Sequence, residues 1–179
     1  MGNYDPIQSY VKSAQENYSA GSYSKAASLF QSAAQVYAEQ GDELNAAEMR
    51  NNCSVALLKA GDASGALQAA IGTDAIFSAA NDARRQALSL GNLAAAYEAL
   101  GDVPQAIKFY RLSSDLLKDT GDRELRSFVL GSLSALQLKN GEQLQSLASM
   151  QAALDNKPKL SLKERLLKKL IQAPFRMLK

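Results

Sequence analysis

Two asparagines, Asn52 and Asn92, stand forty residues apart. A carboxamide donates and accepts hydrogen bonds at once, so such a pair can hold the backbone of a bound peptide. The alternative is that each is solvated or bonded within its own chain. Residues for covalent or acid–base chemistry are sparse. There is no histidine, which removes the commonest general base and metal ligand. The single cysteine, Cys53, takes a helix core position and reads as a small buried hydrophobe, not a nucleophile. Many carboxylates lie beside glycines, where helix capping already accounts for them. The glycines are isolated at turns and make no phosphate-cradling loop. The basic residues are not interleaved with aromatics as in single-strand nucleic-acid binders, and Arg84 with Arg85 reads as a pair on a solvated face. Binding to protein is therefore expected, with no enzyme activity, metal, cofactor or nucleic acid.

The elements that would position Asn52 and Asn92 follow a regular beat. Gly21, Gly41, Gly61, Asn81, Gly101, Gly121 and Gly141 recur every twenty positions, and Asp42, Asp62, Asp82, Asp102, Asp122 and Glu142 follow six of them. A glycine past a helix end adopts positive φ and satisfies the last carbonyls; asparagine is the other residue that enters this region readily. The acid beside it caps the next helix and meets its positive end. Between turns lie segments rich in Ala, Leu, Gln, Lys and Glu, each long enough for a helix of roughly 25 Å. Apolar residues recur at helical spacing: Ala87, Leu90, Ala94 and Tyr97, widened by Leu93 and Leu100, then Val103, Ala106, Ile107, Tyr110 and Leu117. No segment alternates with period two. Pro6, Pro104, Pro158 and Pro174 fall near expected helix ends. Gly65 and Gly72 stand inside an expected helix, where close packing is the first explanation and a hinge the second.

Composition is that of an ordinary soluble domain, 46% hydrophobic and 21% charged, with a net charge of +2. The charge is divided: residues 157–179 hold eight Lys/Arg and one acid, and residues 1–156 twelve Lys/Arg and seventeen acids. One cysteine permits no internal disulfide. No apolar run approaches the ~18 residues of a spanning helix, and no secretory signal is visible. Pro6 stands where a myristoylation signal after Gly2 needs Ser or Thr. A cytoplasmic protein is expected.

Two turns make one repeat of forty residues. In the segment from Ser89 to Asp122, Leu90, Leu93, Ala94, Tyr97, Gly101, Asp102, Ala106, Tyr110 and Ser113 fall where tetratricopeptide repeats place their large, small and turn residues. The match is echoed by Tyr10, Ala14, Gly21, Ala26, Phe30 and Ala33. It is weaker through Cys53, Ser54, Leu57, Gly61, Ala66 and Ala70, and through Leu130, Leu133, Ser134, Gly141, Met150 and Ala153. The chain thus resembles the tetratricopeptide (TPR) family. Its period is similar to that of the longer-helix arrays of kinesin light chains and of Leu-Gly-Asn-repeat regulators. The resemblance implies an all-α, right-handed α-solenoid of four helix pairs, at about 4–40, 43–80, 83–120 and 123–155. This 1–156 array would be followed by a capping helix within 157–179.

The resemblance also implies a concave groove lined by the first helix of each pair, holding a partner's peptide or helix. Carried over one position at a time, that lining is Val11, Lys12, Gln15 and Tyr18; Glu48, Asn51, Asn52, Val55 and Lys59; Leu88, Gly91, Asn92, Ala95 and Glu98; and Phe128, Gly131, Ser132, Ala135 and Lys139. Gly91 and Gly131 either open the groove floor or permit close packing. The chaperone-binding members clamp an acidic carboxylate with Lys, Asn and Arg at places held here by Val11, Gln15, Asn52, Leu88 and Asn92. Only Asn52 fits, so a heat-shock chaperone tail is not the expected ligand.

Ser161 and Glu164 form a capping box for a last helix, with Leu162, Leu166, Leu167, Leu170 and Ile171 on its apolar face and Lys163, Arg165, Lys168 and Lys169 mostly opposite. Pro174 is expected to end it. The first reading is a cap over the last repeat. The second is a tether to an anionic membrane surface, and the third is docking into the groove in cis or in a neighbouring copy. Phe175, Met177 and Leu178 exceed what a cap requires. Self-association through exposed end repeats is a further expectation.

Overall fold

The computed structural model describes residues 6–177, with side chains from 7 to 172. Gly2 and Leu178 lie outside the described residues, as do the side chains of Phe175 and Met177. The chain is a series of helices: α1 (Pro6–Ser19), α2 (Tyr23–Glu39), α3 (Glu43–Ala60), α4 (Ala63–Ala70), α5 (Thr73–Ala79), α6 (Ala83–Leu100), α7 (Val103–Thr120), α8 (Arg123–Lys139), α9 (Gln143–Asn156) and α10 (Leu162–Met177). No strand occurs among the described residues.

All seven expected reversals have positive φ, from 56° at Asn81 to 86° at Gly61. After five of them the aspartate accepts the backbone N–H three residues on: Asp42 from Asn45, Asp62 from Gly65, Asp82 from Arg85, Asp102 from Gln105 and Asp122 from Leu125. Glu142 makes no such bond; its longer side chain takes the Asn140 amide instead. Most helices pack on their neighbours in sequence, but α4 packs on α3 and α6 and not on α5, and α3 also reaches α5 and α6. This is the all-α solenoid that the repeat pattern implies.

The interior is built of small residues under a few large ones. Ala14, Ala26, Phe30, Ala33, Met49 and Cys53 form one cluster. Ala94, Tyr110, Leu117, Val129, Leu133 and Leu136 form another, and Ala70, Leu90 and Leu93 lie between them. Two residues expected on the apolar faces are exposed instead. Tyr10 lies in α1 and Leu100 in the last turn of α6.

The expected single helix between Asp62 and Asn81 is two. Gly72 has φ 81°, and a Cβ there would meet nothing within 4 Å, so Gly72 breaks the helix and does not serve close packing. Two neighbours hold the break. Arg50 of α3 donates to the carbonyls of Ala69 (3.2 Å) and Ile71 (2.5 Å) at the end of α4. Thr73, fully buried, donates toward the Ala70 carbonyl (2.7 Å) and the Asn51 carboxamide oxygen (3.0 Å) and shares a 2.5 Å hydrogen bond with Ser89. Gly65 opens no space between helices either: its Cβ would collide with the capping carboxylate of Asp62.

Arg85 does not lie on a solvated face. Its guanidinium sits 5.1 Å from the centre of the buried Phe77 ring and pairs with Asp82 (2.6 Å) and Glu48 (3.1 Å). Arg84 remains exposed but pairs with Asp122 at 3.0 Å. These contacts tie successive repeats together. The Asp82 carboxyl is held below its usual range by the Arg85 backbone N–H and then its side chain.

The last helix follows a kinked linker and starts with the expected capping box. Ser161 N–H and Oγ donate to Glu164 (both 2.8 Å), and the Glu164 N–H reaches Ser161 Oγ at 3.3 Å. The helix does not stop at Pro174 but continues to Met177. Proline's fixed φ is helical, so it can stand in a helix at the cost of one backbone bond. Only Ile171 of the expected apolar face is buried; Leu162, Leu166, Leu167 and Leu170 face outward. The helix touches only α9 closely.

A candidate partner-binding groove

The first helices of the four pairs, α1, α3, α6 and α8, place their free faces along one trough made of three joined clefts. The first, of about 260 Å³, is lined by Gln15, Tyr18, Ser19, Phe30, Asn52 and Val55. Val55 also lines the second, of about 430 Å³, with Leu58, Lys59, Leu88, Gly91, Asn92, Ala95, Phe128 and Ser132 among its walls. Phe128 and Ser132 pass into the third, of about 800 Å³, which runs over Gly131, Ala135 and Met150 to the linker at Lys157, Pro158 and Lys159.

Helix periodicity explains the register. Residues three and four apart share a face, and Asn52 and Val55 on α3 match Asn92 and Ala95 on α6, with Lys59 one turn after the first pair and Leu88 one turn before the second. Most of the middle cleft is apolar. Phe128 is 72% exposed, an unusual placement for an aromatic side chain without a partner. The Asn52 and Asn92 side chains line the trough, and among the described residues neither carboxamide has a hydrogen-bond partner.

The glycines help to shape the floor. A Cβ at Gly131 would meet nothing within 4 Å, and one at Gly91 would meet only Ser113 Oγ at 3.6 Å. These positions are open, not tightly packed.

The expected lining is not wholly gathered here. Asn51 is buried and turned to Thr73, away from the trough; one residue is a rotation of about 100°, enough to move a side chain from one face to the next. Glu48 is engaged with Arg85. Glu98 accepts the hydroxyl of Tyr110 at 2.9 Å, and burial, aided by this carboxylate, raises the phenol above its usual pKa. Lys12 and Lys139 are exposed on α1 and α8 but line none of the three clefts.

Sequence reasoning missed Leu58, Tyr110 and Leu125 in the middle cleft, and Met150 and the Lys157–Lys159 linker at its end. Tyr110 lies at a position that the repeat assigns to the interior, and Leu58 at the equivalent of Glu98, one residue from the expected Lys59. The linker breaks the repeat and carries no positional signal. Cys53 is buried as expected, and burial, then Asp62, pushes its thiol up to about 11, which leaves it inert. Among the described residues no group of acids or cysteine could hold a metal ion.

This is a TPR-like helical repeat protein with an open inner face. The family model for soluble NSF attachment proteins (SNAP) matches residues 3–173, and the chain belongs to that family. Among solved structures it is similar to BtubC (BKLC) from P. vanneervenii, with a TM-score of 0.75 and 20% identity, over 90% of this chain and 71% of that one. It is also similar to a P. anserina protein described as a putative kinesin light chain with nearly identical TPR-like repeats, with a TM-score of 0.54 and 16% identity, over 96% and 98% of the two chains. A single-substitution form of the P. anserina protein gives 17% identity and the same TM-score and coverage. At these identities the likeness is one of fold. No curated protein matches the chain.

Proposed function

We propose that this chain is a non-catalytic scaffold or adaptor that holds a peptide or helix of a partner protein in the trough. TPR-like repeats generally mediate protein interactions. The finer reading rests on one observation: two repeat-related carboxamides without partners flank an apolar cleft into which Phe128 is exposed. A buried amide gains from a hydrogen bond only if it finds one, and a peptide backbone offers a donor and an acceptor to each. An apolar helix face would cover Phe128, Leu88 and Val55, the helix-in-groove mode of recognition. A cytoplasmic setting suits the single free cysteine.

The test compares capture of partners by the wild type, by Asn52→Ala with Asn92→Ala, and by Phe128→Glu. The reading expects both variants to keep the wild-type melting temperature and to lose the same captured protein. Capture that both variants retain would remove the trough as the binding site.

A second reading, a peripheral adaptor tethered to a membrane surface by the C-terminal helix, is favoured by the outward-facing leucines of α10. No helix among the described residues is long and apolar enough to cross a membrane, so any such contact would lie at the surface.

A further inference from the structure

An amphipathic helix at the end of a solenoid normally turns its apolar side to the protein. Here α10 does the reverse. Leu162, Leu166 and Leu170, spaced by four, form one stripe and are 84%, 60% and 62% exposed, while Ile171 alone is buried among the described side chains of α10. Two ion pairs accompany this orientation. Lys168 reaches Asp155 of α9, and Lys157 of the linker reaches Glu164. The polar side of the helix is therefore held against the body, and the leucine stripe is left outside.

The cations beside the stripe are of a different kind. By helical geometry Arg165 and Lys169 flank it on one side and Lys163 on the other. The three line one surface hollow with Leu162 and Leu166, and among the described residues none has an acidic partner. The rest of the chain opposes them in sign, since residues 1–156 carry five more acids than bases and residues 157–179 seven more bases than acids.

We infer that α10 lies flat on a bilayer containing anionic lipid, with Leu162, Leu166 and Leu170 immersed and Lys163, Arg165 and Lys169 among the headgroup phosphates and carboxylates. The inference rests on the tether reading and adds the orientation of the helix and the residues that meet the lipid. A bilayer takes a flat leucine stripe without a matching socket, and the long cationic side chains can run along the stripe and reach the headgroups. Anionic lipid attracts this end and repels the acidic array, which directs contact to α10 and leaves the trough clear of the surface. A protein groove would instead have to bury three cations beside the leucines.

The experiment is sedimentation of the full chain with vesicles of phosphatidylcholine alone and with vesicles in which phosphatidylserine replaces part of it. Binding is expected to the second kind only, and to weaken as salt rises. Lys163→Gln with Arg165→Gln and Lys169→Gln should lower the partition about a hundredfold, at about fivefold per cation. Leu166→Gln with Leu170→Gln should also release the protein. Every altered side chain is exposed, so thermal unfolding should stay at the wild-type midpoint. Equal binding to phosphatidylcholine alone would overturn the anionic preference and leave the tether standing. No binding to either vesicle would remove both. Binding that both variants retain would assign the contact to another surface. A dimer in light scattering that the leucine variant dissolves would assign the stripe to a second copy of the chain, against the inference.

Discussion

The Thr73 hydroxyl lies 3.0 Å from the carboxamide oxygen of Asn51, joining the start of α5 to the middle of α3 inside the protein. Asn51, Thr73 and Ser89 are buried polar groups that satisfy one another where the second helix pair is interrupted. The same contact withdraws Asn51 from the trough and leaves its neighbour Asn52 facing it.

Thr73→Val preserves shape and removes the shared hydroxyl, so Asn51 and Ser89 lose a buried partner. A loss of about 1–3 kcal/mol in urea unfolding is expected. Ser54→Ala is the contrasting case. The Ser54 hydroxyl is buried and has no partner among the described residues, so its removal should leave stability unchanged or raise it. Equal destabilisation by the two substitutions would contradict this assignment.

Two glycine substitutions should have opposite signs. Gly72→Ala forces a side chain into the left-handed region at φ 81°, at about 1–2 kcal/mol. Gly131→Ala, within α8 and facing open space, should stabilise by roughly 0.5–1 kcal/mol. Thermal melts of the two proteins check the order.

The Cys53 thiol should react with a thiol reagent only as the chain opens. Its pKa, raised from 9.0 to about 11, alone slows reaction near neutral pH about a hundredfold, because the thiolate is the reactive form. Burial adds to this. Labelling followed through a urea titration should coincide with the loss of helix measured by circular dichroism; rapid labelling of the folded protein would contradict the burial.

Glu164 predicts an acid response at the start of α10. Its carboxyl is lowered from 4.5 to about 2 by Lys157 and by the Ser161 N–H and hydroxyl. A depressed pKa means that the folded state favours the carboxylate. The stabilisation is fully present above about 4.5 and is lost as pH falls toward about 2. Amide exchange by NMR should show the first turn of α10 protected near pH ~5 and open in strong acid, and Glu164→Gln should lose that dependence.

What could be read in the sequence was whatever a local rule dictates. A reversal needs positive φ and a cap, and both are carried by one or two adjacent residues, so Gly21 through Gly141 were legible, including Asn81. Val55, Leu88, Asn92 and Phe128 came from the resemblance to the tetratricopeptide family, carried over by repeat position, and they line the clefts of the inner face. The break at Gly72 was not legible, because it stands off the twenty-residue beat and is held by Arg50 and Asn51 from another helix. The direction in which α10 faces was equally hidden. Its amphipathic pattern is the same whichever side packs, and its observed setting goes with contacts to Asp155 and Lys157 that no helical wheel contains. The kinesin light chain likeness was visible in the long period, whereas membership of the soluble NSF attachment protein family was not anticipated from the repeat residues.

The interruption at Gly72 also divides the apolar interior. One cluster holds Phe30 and Met49, another Tyr110 and Leu133, and a third, with Ala70, Leu90 and Leu93, lies between them. A rod whose parts touch mainly their neighbours does not melt as one unit. Each cluster is thus held mainly by its own neighbours, and α6, which meets α3, α4 and α5 together, is the element through which the opening of one would reach the other.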